Sequence, residues 1–481
     1  MDLDGYRAEA QAFWEEIERE YLLHMSGRKP EFELEPIYAR HAALFEREAA
    51  ERLREAGAPR ELVRFAVEGL FGQETKREAE ALARREAEAR ITVGDGELGY
   101  REAVAAQANE RDPERRAALE RARLDVVERE LNPLLLEAHE RSAALARELG
   151  WTSVLAMCEE LSGVDLRALG EQASAFLAAT DEPYEPLVDA EVRAQLGVGL
   201  DELRRADMPA FFRAPGLDEH FPEDRLLASL EGTVAGLGLD GAGVVVDAEV
   251  RPTKSPRAFC APVRVPAEVH LVIARVGGHD DYEALMHEAG HAYHYSHVGP
   301  GLPFEDSHLG DNSVTEAYAF LMQHLTTEPG WLARILDVPD PEPIARFASA
   351  SRMVFLRRYC AKLGYELELH GDGRPPGENA RDYAARLGGA LRIDWPDATW
   401  LSDVDPFFYA ARYLRAWAFE AHLRALFRER FGDGWFAEPE AGALLRSLWS
   451  RGQADDADAL LAELTGERLD LAVLAAEFAV A

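Results

Sequence analysis

Cysteine is scarce in this chain: Cys158, Cys260 and Cys360 are the only three in 481 residues, and no two form a C-x-x-C pair. So sparse and odd a set argues against a disulfide framework and fits a reducing compartment. Long apolar runs are missing as well. No stretch approaches the roughly 18 uninterrupted apolar residues that a spanning helix needs, so no membrane partner is expected. The opening "MDLDGYRAEAQAFWEE" has no basic segment leading into an apolar run, the mark of a secretory leader, and a cytoplasmic setting is expected. Positive charge is in short supply too, with 53 Lys and Arg against 88 Asp and Glu, a net charge of −35. Nucleic-acid binding needs clustered Lys and Arg on the phosphates, so this balance speaks against it. The simplest use of the excess is solubility by self-repulsion.

What remains is an ordinary globular composition, 47% apolar and 29% charged, in a chain long enough for a large core. The first half reads as helix almost throughout. Residues 35–57 are rich in Ala, Glu, Arg and Leu and stop at Gly57 before Pro59, while 73–90 are nearly all polar and predict an exposed helix. The stretch 93–99, "VGDGELG", reads as a turn. A long helical run begins at Pro113 and ends near Gly150, with a kink expected at Pro133. Composition shifts near residue 243, where "GVVVDAEVRP" and then "EVHLVIARV" (268–276) are short and β-branched. Helical patterning returns at 281. The expected organisation is an N-terminal helical lobe over 1–242 and a second lobe over 243–481, mainly α, with a small β-sheet next to the helix that starts at 281.

That helix carries "YEALMHEAGHAYHYSH", residues 282–297. Residues four apart share a helix face, so His287 and His291 can hold one metal between them. Glu288 sits one position round, placed to take a proton from a metal-bound water whose pKa zinc lowers to about 7. The neighbours Ala284, Leu285, Met286, Ala289, Gly290, Ala292 and Tyr293 are uncharged, as a buried site helix requires. Candidates for a third ligand lie further on. His297 has metzincin spacing, but that geometry needs glycine at 294, where this chain has His294. Asp311 has thermolysin-like spacing without the surrounding motif. Glu316, twenty-five residues after His291, lies near the start of an amphipathic helix behind a Gly- and Pro-containing loop. It is either the third ligand or half of a capping box with Ser313; the ligand reading is preferred, because the site otherwise lacks a carboxylate. A fourth protein ligand would take the place of water, so His294 is given a supporting role.

The run "SPRAFCAPVRVPAEVHLVIARVGGHDDYEALMHEAGHAYHYSH", followed by Glu316 at this distance, resembles the M3 metallopeptidases, the group of oligoendopeptidase F and thimet oligopeptidase. The likeness is specific over about 250–330 and less so elsewhere. It implies a mainly α, two-lobed helical shell around a deep cleft, one zinc ion per chain, and hydrolysis of short unfolded peptides. It also implies that 268–276 is an edge strand to which an extended peptide adds. Within "DVDPFFYAARYLRAWAFEAHL" (403–423), the resemblance assigns a tyrosine to the oxyanion of the tetrahedral intermediate: Tyr413 first, Tyr409 second. Here the chain departs from the family, with Asp403 and Asp405 but no histidine just upstream. Two other readings stay open: a zinc carboxypeptidase or dipeptidyl carboxypeptidase of M32 or M2 type, and a non-catalytic acidic helical peptide-binding protein with structural zinc.

Overall fold

Tyr6, Ala10, Phe13 and Ile17 recur every three or four residues near the N-terminus and form the buried stripe of a helix, α1 (Leu3–Met25). Asp2 caps it, accepting from the Gly5 N–H at 2.7 Å. The structure is a computed structural model that describes residues 2–239, 243–371 and 375–479. It is mainly helical, with two small sheets. No helix among the described residues is long and apolar enough to cross a membrane.

The chain divides into two compact units, each gathered from separate stretches: Met1–Gly69, Pro215–Ala345 and Arg415–Val473 in one, Leu70–Ala214, Arg346–Leu414 and Leu474–Ala481 in the other. The sequence suggests a single boundary at 242/243, beside residues that lie outside the described set. Composition marks where the strands begin. It does not mark crossings at 69/70, 345/346 and 414/415, which fall inside the uninterrupted helices Arg60–Glu74, Glu342–Leu369 and Tyr409–Phe431.

In the first unit, three strands form a sheet: β1 (Val244–Asp247), β2 (Phe259–Arg264) and β3 (Glu268–Val272). β3 is central, parallel to β1 and antiparallel to β2. The segment expected at the edge is therefore interior, and the edge next to the site helix belongs to β2. Pro262 hid β2 from sequence reading, since a residue without an N–H suits an edge better than a ladder. α1 lies along β2. The Trp14 indole donates to the Pro262 carbonyl at 3.2 Å, Glu15 pairs with Arg264 at 3.3 Å, and Arg19 holds Glu268 through two contacts of 2.8 Å. Leu22 packs against Ala261, Val263 and Val272.

After the sheet come α2 (His279–Ser296) and α3 (Asn312–His324), packed on each other. Gly290 sets their spacing. A Cβ at 290 would lie 2.5 Å from the Ala319 Cα and 2.7 Å from the Tyr318 carbonyl oxygen, so only glycine lets the two backbones come this near.

Among the described residues, the second unit is helical apart from a hairpin, in which Arg90–Val93 pairs antiparallel with Gly96–Gly99. The 93–99 turn is thus the tip and return strand of that hairpin. Lys76–Glu88 is a helix with no fully buried residue, as its polarity predicts. The long run from Pro113 is interrupted where Pro133 requires it: helix Pro113–Val126 passes through one π-turn, Val127–Leu131, into helix Asn132–Glu148. Val126, Val127 and Leu131 close over Ile91 and Val93 of the hairpin.

Candidate active site

α2 and α3 bring His287, His291 and Glu316 together. The Glu316 Oε2 lies 3.5 Å from the His287 Nε2 and 3.7 Å from the His291 Nε2, and one ligand atom from each residue falls within a 4.8 Å cluster. Donors in a tetrahedral zinc shell with bonds of 2.0–2.1 Å stand about 3.4 Å apart, so two imidazoles and a carboxylate at these separations suit that ion. Glu316 is 6% exposed and turned toward the histidines. The helix is capped instead by Asp311, whose Oδ1 accepts from the Ser313 N–H at 2.9 Å. Asp311 is thus a cap and not a metal ligand. Its other oxygen takes the Arg415 guanidinium at 2.9 Å, and that cation holds its carboxyl down at about 2 against the effect of burial.

The outer hydrogen bonds decide where the imidazole protons sit. The Gly452 carbonyl can only accept, so at 3.2 Å the His294 Nε2 carries a proton and its Nδ1 is bare. That bare Nδ1 lies 3.1 Å from the Thr315 Oγ1, which must therefore donate to it. With its proton committed, Thr315 can only accept from the His291 Nδ1 at 2.9 Å. His291 is then protonated on Nδ1, and its Nε2 lone pair points at Glu316. The His287 Nδ1 likewise meets the Gln323 Oε1 at 2.9 Å, freeing its own Nε2. Both histidines are fixed in the tautomer a metal needs. Burial pushes the pKa of each down to about 4, keeping them neutral. His294, fully buried, is pushed to about 3 and takes no part in the ligand cluster. His297 turns away, its Nδ1 2.7 Å from the Tyr293 carbonyl.

Glu288 points to the sheet. Its Oε2 accepts from the Cys260 N–H of β2 at 2.8 Å. Burial raises its pKa to about 7, the Cys260 N–H opposing and Glu316 adding to the rise. A carboxylate that titrates near neutrality can take and return a proton at working pH. Burial also pushes the Cys260 thiol well up, so it is no nucleophile.

Tyr409 and Tyr413 begin the Tyr409–Phe431 helix in the other unit, their rings 4.9 Å apart, with Tyr413 edge-on to Tyr359 at 5.6 Å. Sequence reading missed Thr315, Gln323, Tyr295 and the Cys260 N–H. Tyr295 was the most accessible of these: it lies four residues after His291, on the same helix face, and hydrogen-bonds Thr315.

No protein-family model and no curated protein sequence matches the chain. Solved structures do. A Bacillus anthracis str. Ames protein assigned as an oligoendopeptidase F superposes with a TM-score of 0.61 at 15% identity, over 96% of this chain and 85% of the other. PZ peptidase A, solved with an inhibitor, gives a TM-score of 0.68 at 15% identity, over 98% of this chain and 91% of its own. Over 96–98% of its length, the chain has the fold of these M3 metallopeptidases.

Proposed function

We propose that this protein is a zinc-dependent oligopeptidase that hydrolyses peptide bonds in short unfolded peptides. The observation behind the reading is the convergence of two tautomer-fixed histidines and Glu316, with Glu288 tethered beside them. His287, His291 and Glu316 would hold one zinc ion. Zinc in such a site lowers the pKa of bound water and polarises a carbonyl. Glu288 takes the proton of the attacking water and delivers it to the leaving amine, two transfers that need a group titrating near neutrality. The Cys260 N–H keeps that carboxylate from swinging into the ligand cluster. His294 and Thr315 keep the His291 lone pair aimed, and act only through that residue. Tyr413, with Tyr409 as second choice, is assigned to the oxyanion on the family resemblance alone.

Elemental analysis of the purified protein, joined to Glu288→Gln assayed on a quenched peptide library, tests the reading. About one zinc per chain is expected, with cleavage lost in the variant and its zinc retained. A zinc-free active protein, or a variant as active as wild type, overturns it. Cleavage of peptides blocked at both ends separates endopeptidase from carboxypeptidase action.

A further inference from the structure

We propose that Glu18 is the cation-recognising residue of this substrate site, receiving the ammonium or guanidinium group of a bound peptide; the inference rests on the peptidase reading above. Helix neighbours four apart share a face, and both neighbours of Glu18 touch the edge strand: Trp14 at the Pro262 carbonyl, Leu22 against Ala261 and Val263. Glu18 therefore faces β2 between them. That placement agrees with its electrostatic reach, since its charge raises the pKa of both the Cys260 thiol and the Tyr295 hydroxyl. Cys260 holds the general base through its N–H, and Tyr295 lies one turn beyond His291. Glu18 thus faces the strand whose Cys260 N–H tethers Glu288.

Its surroundings set it apart from the other acids of α1. Glu15 pairs with Arg264, Glu16 with Arg40, and Glu20 with Lys29. Among the described residues no hydrogen bond or ion pair reaches Glu18. Burial alone lifts it to about 7, without a cation to bring it back. An arriving cation supplies the missing partner and restores the ionised carboxylate. Trp14 and Tyr21 flank Glu18 on its own helix face, and Tyr21 is 40% exposed, its ring set edge-on to Phe32 at 4.9 Å. A carboxylate between aromatic rings is a favourable seat for a lysine, an arginine or a free amino terminus.

The experiment compares wild type, Glu18→Gln and Glu18→Lys on quenched peptides of one length. One arm carries a single Lys or Arg at each position in turn with an acetylated N-terminus. A second carries no basic residue and a free amino terminus; a third is acetylated and neutral. Loss of one charge-assisted contact predicts a fall of about tenfold to a hundredfold in kcat/KM for Glu18→Gln on the peptide that supplies the cation. The neutral peptide should change less than twofold, and Glu18→Lys should turn preference toward acidic peptides. Loss confined to the first arm identifies a side chain, and loss confined to the second the amino terminus. Equal loss on all three arms, or none, overturns the proposal. Equilibrium binding of the same peptides to metal-free wild type and Glu18→Gln covers the remaining case. If nothing is cleaved by any form yet wild type alone prefers the cationic peptide, the peptidase reading fails and the Glu18 site stands; equal binding sinks it.

Discussion

Replacing Gly290 with alanine tests whether the α2–α3 contact sets the geometry of the proposed metal site. The new methyl would begin 2.5 Å from the Ala319 Cα, 2.7 Å from the Tyr318 oxygen and 2.9 Å from the Ala319 nitrogen, all backbone atoms that no rotamer change can move. Carbon atoms pack at about 3.5–4.0 Å, so the helices must part by roughly 1 Å. Overpacking of this kind costs about 1–3 kcal/mol. Its larger effect falls on Glu316, which α3 carries while α2 carries both histidines. A shift of about 1 Å is several times the roughly 0.2 Å latitude of a metal–ligand bond, so zinc affinity should fall by at least tenfold. Competition against a chromophoric chelator measures the affinity, and urea unfolding the stability. Gly389→Ala is the control: it sits in the helix Pro376–Leu391, a Cβ there meets nothing within 4 Å, and it should gain up to about 1 kcal/mol. If Gly290→Ala binds zinc like wild type at unchanged stability, the close contact is not what fixes the site.

Thr315→Val and Gln323→Leu remove the partners that fix the two imidazole tautomers. Each should weaken zinc binding by about 10- to 100-fold with little loss of fold, and unchanged affinity in both would dismiss the proton assignment. Arg415→Leu strands Asp311 and Asp458, which the guanidinium holds at 2.9 and 2.6 Å. Leaving a buried charge unpaired should cost about 3–5 kcal/mol, read as a lower urea midpoint; Arg415→Leu with Asp311→Asn should recover part of it. Burial depresses His308 to about 4 and His370 to about 3. Their unfolded forms titrate near 6.5 and bind protons first, so the stability they contribute is full above about pH 6.5 and drains away as pH falls toward 4. At pH 5 the loss is roughly 2 kcal/mol each. His370→Gln should flatten the pH dependence of the urea midpoint, and an unaltered profile would show that His370 is not held neutral in the fold.

The part of the site that lies within one helix could be read from spacing, because His287, Glu288 and His291 depend only on a 3.6-residue period. Glu316 was ambiguous, since Ser313 and Glu316 also satisfy the capping-box pattern. The three-dimensional start of α3 gives the cap to Asp311, and the ligand role of Glu316 stays a proposal. Thr315, Gln323 and Glu18 earn their roles from neighbours 21 to 242 residues away in the chain, a relation no local pattern records. β2 was lost for a different reason: Pro262 is a strand breaker in a one-dimensional reading and an acceptable edge residue in the fold. The two-unit organisation leaves little trace in composition, because helices continue through the crossings at 69/70, 345/346 and 414/415.

The Gly452 carbonyl, which starts the chain of protons ending at His291, comes 161 residues after that histidine. During synthesis the histidine pair and Glu316 leave the ribosome long before the turn that aligns one of them. Until residue 452 arrives, His294 can carry its proton on either nitrogen, Thr315 is uncommitted, and the His291 ligand atom has no assigned direction. A nascent chain that folds in order therefore completes the proposed metal site late, when the segment Arg415–Val473 closes over α2. On the proposed peptidase reading, the site is finished only after residue 452 has been made.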